Sequence, residues 1–188
     1  MSSVPERSEI DDAYTWDLTD LFADDEAWEE TYAETDERIE ELSAYEGRVT
    51  ESAATLEAVL ELRESIMRDV SNLSAYARMR KDEDTTNQTY QALAAQARSL
   101  AADASSAASY IEPELQELDG GEVEALIEEN SALEAYEHYF DDTLRMKSHT
   151  RSAEIEALLA DLGEVTGAAG DVYNMLTNAD MEFPAVED

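Results

Sequence analysis

Residues 52–80 read SAATLEAVLELRESIMRDVSNLSAYARMR, and their pattern decides the fold. Leu56, Val59, Leu60, Ile66, Met67, Val70, Leu73 and Ala77 recur at steps of three and four. That period puts apolar side chains on one face of an α-helix. Ser52 is suited to the N-cap, because its short side-chain oxygen can accept from a free first-turn N–H. Met79-Arg80-Lys81 places cations at the end where the helix dipole is negative. The spacing predicts a helix over 52–80, ~43 Å long at about 1.5 Å per residue, with Asp82-Glu83-Asp84 as the turn.

The same reading extends outward from this helix. Upstream, Asp24 and Asp25 fit the cap and first turn of a helix over 24–45 that carries Trp28, Tyr32, Ile39 and Leu42. Gly47 is its stop, just past Tyr45. Trp16-Asp17-Leu18 and Leu21-Phe22 form a short docking segment behind a mobile arm over 1–15. Downstream, Thr85-Thr86-Asn87-Gln88 has the form of a capping box, with Thr85 as cap and Gln88 at the third position. The helix after it bears Tyr90, Leu93, Ala94, Ala97, Leu100, Ala101, Ala104, Ala108 and Ile111. So small a face allows close approach and predicts a central helix. Pro113 ends it or opens a short turn.

Asp119-Gly120-Gly121 signals a loop, and Glu122–Glu129 a short helix around Val123, Leu126 and Ile127. Ser131-Ala132-Leu133-Glu134 is a second capping box, opening a fifth helix with Leu133, Tyr136, Phe140 and Leu144 on its stripe. Ser152 caps a sixth, where Ile155, Leu158, Leu159, Leu162, Val165, Ala169, Val172, Tyr173 and Leu176 keep helical spacing. Gly163, Gly167 and Gly170 share another of its faces, which fits a close helix contact, with a hinge as the rival reading. Met181-Glu182-Phe183 alternates like the start of a strand before Pro184. No repeat of fixed period is present. The expectation is an all-α multi-helix bundle or array of about six helices, two of them long.

Composition narrows the partners. The 188 residues suffice for one domain with a core, and 43% of them are hydrophobic, which excludes a disordered acidic tail. Forty-seven acidic against 12 basic residues give a formal charge of -35. That sign opposes nucleic-acid backbones and anionic membranes. A basic partner, DNA mimicry and a salt-adapted surface would each account for it. Residue choice favours the last: Lys81 and Lys147 are the only lysines, and the acids are spread along every helix. At about 1 M salt the Debye length is ~3 Å, which screens such self-repulsion. Cysteine is absent, which removes disulfides, thiolate nucleophiles and Cys-based zinc sites and fits a reducing cytoplasm. No apolar run is long enough to span a membrane, and MSSVPERSEIDD lacks a signal-peptide core.

Residue chemistry reveals no active site. Neither His138 nor His149 has a histidine four residues away, so H-E-x-x-H is missing. Ala135 and Met146 stand three residues before them, which excludes the Glu-x-x-His of di-iron bundles. Glu134 and His138 are four apart, but two ligands do not make a site. No G-x-S-x-G and no phosphate loop occur. The cluster Arg145, Lys147, His149 and Arg151 is the local charge anomaly. It reads as a site for a peptide carboxylate or a neighbouring acidic domain or, more simply, as cations matched to a helix C-terminus. Tyr76, Tyr90, Tyr110, Tyr136, Tyr139 and Tyr173 read as core residues with hydroxyls at the rim, with contacts to a peptide groove as the rival reading.

A set of short segments runs through nearly the whole chain. It comprises Trp16-Asp17-Leu18 with Leu21-Phe22, then Tyr76-Ala77 with Asp82, Asp84-Thr85 and Asn87. Tyr90-Gln91-Ala92-Leu93, the run Tyr110-Ile111-Glu112-Pro113-Glu114-Leu115, and Leu133 with Tyr136 and Tyr139 follow. Arg145-x-Lys147-x-His149 with Ser152 and Glu156, and Asn178-Ala179-Asp180 before Phe183, complete it. In order and spacing these segments resemble oligoendopeptidase F, of the thimet-oligopeptidase-like zinc metallopeptidases. Arg151 departs from the pattern, which would have an apolar residue before the serine.

The resemblance is to the N-terminal helical region only. It implies a mobile arm over 1–15, a helical lobe over 16–180 and the start of a following segment over 181–188. It further implies a cytoplasmic parent enzyme that hydrolyses short peptides with zinc, this lobe forming one wall of the substrate channel. Its partners would be the oligopeptide substrate and its own downstream catalytic domain, with no nucleic acid and no membrane. The family's zinc helix has no counterpart here, so no catalytic, metal or cofactor residue is carried onto this chain, and the segment alone is expected to be inactive. The rival reading is a stand-alone acidic helical module for a basic protein or peptide.

Overall fold

A computed structural model describes residues 9–147 and residue 173. Its helices are α1 (Asp25–Ser43), α2 (Ala53–Glu83), α3 (Gln88–Ala107), α4 (Ile111–Leu115), α5 (Gly120–Glu129) and α6 (Glu137–Met146). Short 3-10 turns occupy Asp12–Tyr14, Leu18–Asp20 and Ser131–Tyr136. Among the described residues there is no strand, and no helix is long and apolar enough to cross a membrane. The all-α expectation holds. The expected sixth helix apart from Tyr173, its three glycines and the exit at Asn178–Phe183 lie outside the described residues.

Side chains set the helix starts. Asp24 accepts from the Ala27 N–H at 2.9 Å, and Ser52 from the Thr55 N–H at 3.1 Å. Each such cap stabilises by about 1 kcal/mol. Three starts differ from expectation. Asn87, not Thr85, caps α3, its Oδ1 accepting from Thr89 and Tyr90. Asp84 takes both the N–H and the hydroxyl of Thr86, so the turn advances before the helix begins. Asn130, not Ser131, accepts from Ala132, and a 3-10 turn precedes α6. Asp119-Gly120-Gly121 is no free loop: Asp119 and Glu122 form a reciprocal capping box, and both glycines belong to α5.

α2 is the central helix, a place expected for α3. It buries nine side chains and packs against α1, α3 and α5. Its stripe interlocks with Trp28, Ile39 and Leu42 of α1 and with Leu93, Ala97, Leu100 and Ala104 of α3. Trp28 is 1% exposed, stacks on Tyr32 and donates its indole N–H to the Leu73 carbonyl at 3.0 Å. Arg38 of α1 donates to Asp69 and to Ser65 of α2. In the docking segment Leu18 is buried and Phe22 meets Tyr76 edge-on at 5.4 Å, but Trp16 is 77% exposed.

α3 stops at Ala107, and Ile111 opens the separate helix α4, where Pro113 sits in the first turn and needs no N–H partner. This small helix fixes the α1–α2 connection. The Glu114 carboxylate accepts from the Gly47 N–H at 2.6 Å and the Val49 N–H at 3.0 Å. The Tyr110 hydroxyl donates to the Leu42 carbonyl at the end of α1. Gly47 has φ of 78°, a left-handed conformation that favours glycine. α1 has by then already ended at Ser43, four residues before this glycine.

The chain divides into two compact units, Met1–Leu144 and Arg145–Asp188. The core described above lies in the first. In the second, Tyr173 is helical and 65% exposed, contrary to its expected place on a buried stripe.

Candidate functional site

The residues expected to matter lie apart from one another. His138 is exposed on α6, with Nε2 3.6 Å from Asp142. Arg145 stands in the last turn of α6, as dipole matching requires. Lys147 follows it and is exposed; His149 and Arg151 lie outside the described residues. Among the described residues no group of three His, Asp or Glu side chains could hold a metal ion.

The tyrosines hold the bundle together. Tyr76 is buried and donates to Asp25 at 2.7 Å. Burial, then the bond to Asp25, pushes its hydroxyl up to about 12. Tyr110 is also pushed up to about 12, by burial and then by the charge of Glu114. Tyr136 reaches about 12 by burial and then by Glu64. Tyr139 lies under the Arg63 guanidinium at 5.0 Å.

Arg80 joins α2, α3 and α1. Its guanidinium lies over the rings of Tyr76 at 5.6 Å and Tyr90 at 4.7 Å. It reaches Asp25 at 3.4 Å and Glu83 at 3.3 Å. Such a cation is neutralised and sandwiched, which suits a structural joint better than a ligand site.

A cluster of cations without an ion pair lies near the same helix end. A groove of about 430 Å³ runs between α2 and α3. The small residues Ser74, Ala75, Ala94 and Ala97 line it together with the cations Arg78, Lys81 and Arg98. Among the described residues no hydrogen bond or ion pair engages these three cations. Arg78 and Lys81 are one turn apart, hence on one face. Reading Arg80-Lys81 only as dipole-matched cations misses this cluster, and Arg98 has no local signal of its own. The signal present corrects the expectation of acids spread along every helix: residues 70–81 and 85–102 contain no Asp or Glu, in a chain with 47 acids. Packing α2 against α3 brings those two acid-free stretches together. The arrangement can hold an anion; it offers neither a nucleophile nor an acid–base pair.

Comparison with known proteins places the chain. The family model described as Oligopeptidase F matches residues 114–183. Oligopeptidase PepF of Bacillus subtilis is 35% identical over 187 residues, covering 100% of this chain and 28% of that protein. Group B oligopeptidase PepB of Streptococcus agalactiae is 36% identical over 181 residues, covering 96% of this chain and 30% of that one. The crystal structure of oligoendopeptidase-F from Enterococcus faecium superposes with a TM-score of 0.69 at 34% identity, over 87% of this chain and 32% of that one. The chain thus spans about three-tenths of the length of these relatives. By sequence and by fold it belongs with the N-terminal helical region of the oligoendopeptidase F family.

Proposed function

We propose that residues 16–180 are the N-terminal helical lobe of a cytoplasmic, zinc-dependent oligopeptidase that hydrolyses short peptides. The observation that carries this is the likeness over the whole chain to oligopeptidases more than three times its length. In this reading the lobe walls one side of the peptide channel and limits entry to unfolded oligopeptides. Zinc, when bound in such enzymes, activates the water that attacks the scissile carbonyl. The described residues do not fit that metal, and H-E-x-x-H is missing from the sequence. The metal and its chemistry are therefore assigned to a catalytic part outside residues 1–188. The dispersed acids are assigned to a salt-adapted surface.

The test is the coding frame beyond Asp188. A continuing frame that encodes H-E-x-x-H and a later glutamate supports the reading. An immediate stop codon contradicts it and favours the acidic binding module.

A further inference from the structure

We infer that the α2–α3 groove is a binding site for the carboxylate of an oligopeptide, read by Arg78, Lys81 and Arg98. The inference rests on the peptidase-lobe reading for the identity of the ligand, but the site follows from its own chemistry. The chain carries 47 acidic against 12 basic residues, and Arg38, Arg48 and Arg80 each pair with a carboxylate. Arg78, Lys81 and Arg98 line one groove and have no such partner among the described residues. Residues 70–81 and 85–102 carry no acid, and Asp82, four residues after Arg78 on the same helix, forms no ion pair with it.

The shape suits a chain end. The serine and alanine side chains in the lining are small and let a peptide backbone approach closely. Ser71 and Ser74 add hydroxyls that can bond the terminal peptide unit. Two guanidinium groups offer forked donors that match a carboxylate's two oxygens, and the lysine adds a point charge. The overall charge of -35 does not forbid this. At 0.15 M salt the Debye length is about 8 Å, so acids farther off are screened and the three cations face chiefly Asp82 and Glu83 beside them.

The test titrates the 188-residue chain by calorimetry with a neutral, N-acetylated hexapeptide, as the free acid and as the C-terminal amide. The salt is the lowest at which far-UV circular dichroism shows the helices formed. The free acid is expected to bind at least about tenfold more tightly than the amide, the effect of losing hydrogen bonds to a charged group. Arg78→Gln with Arg98→Gln should remove that difference while keeping the helical spectrum. Arg48→Gln, remote from the groove, should retain it. Equal binding of acid and amide, no binding of either, or a preference that survives the double substitution would overturn the site. A double variant that loses its helical spectrum would be replaced by Arg98→Gln alone, read by the same criterion. None of these failures touches the peptidase reading, which the coding frame decides.

Discussion

Glu114 makes the account's most exposed structural claim, because one carboxylate holds two backbone N–H groups 65 and 67 residues away in sequence. Glu114→Gln changes no volume. Its amide oxygen can keep one of the two bonds, now to a neutral acceptor, while its NH2 faces the other N–H. A hydrogen bond to a charged group contributes about 1.5–3 kcal/mol, against about 0.5–1.5 for a neutral one. Glu114 is half-buried, so solvent screens part of this, and the expected loss is about 2 kcal/mol. For a chain of this size that lowers Tm by about 4–8 °C. Circular dichroism melts at fixed salt measure it. Glu112→Gln is the control, since it removes the same charge from an exposed position on the same short helix. It should change stability by less than about 0.5 kcal/mol. If the two variants melt together, the clamp contributes nothing and the reasoning about α4 fails.

Trp28→Phe removes the bond to Leu73 and part of a buried ring system, and should cost about 2–4 kcal/mol in urea unfolding. A loss below 1 kcal/mol would place Trp28 outside the packed core. Tyr76, Tyr110 and Tyr136 are raised to about 12, against about 10 unfolded. Their protonated forms are favoured by folding, so this stabilisation is full below pH 10 and is lost as pH rises from 10 to 12. Absorbance at 295 nm should show tyrosines titrating above pH 11 that shift to about 10 in urea. A single titration near 10 for all nine tyrosines in folded protein would refute it. The salt-adapted surface predicts a Tm that rises steadily with NaCl from 0.15 to 2 M, whereas a flat response would favour the binding module.

What the sequence revealed depended on whether the interaction was local. The α2 stripe was legible because period 3.6 needs no partner to be seen, and Ser52 and Asp24 cap through bonds to N–H groups only three residues on. The α3 start was not, because Asp84, Thr85, Thr86 and Asn87 can all cap and only backbone geometry chooses Asn87. Asp119-Gly120-Gly121 looked like a loop because glycine is a poor helix former, yet a satisfied capping box outweighs that cost. The tyrosine–Glu114 run could be quoted as a family-like segment, but its role spans from α4 to the α1–α2 connection and has no local pattern. The basic groove was hidden for the same reason, since Arg98 meets Arg78 and Lys81 only after α3 folds back on α2.

The central claim is that this chain is one lobe of a peptide-cleaving enzyme whose chemistry lies elsewhere. Cleavage of an internally quenched oligopeptide tests it, with residues 1–188 and the product of the whole coding sequence compared side by side. The account predicts hydrolysis by the whole product, abolished by a chelator and restored by zinc, and none by residues 1–188. Cleavage by residues 1–188 alone, or a whole product that cleaves no oligopeptide, would contradict it.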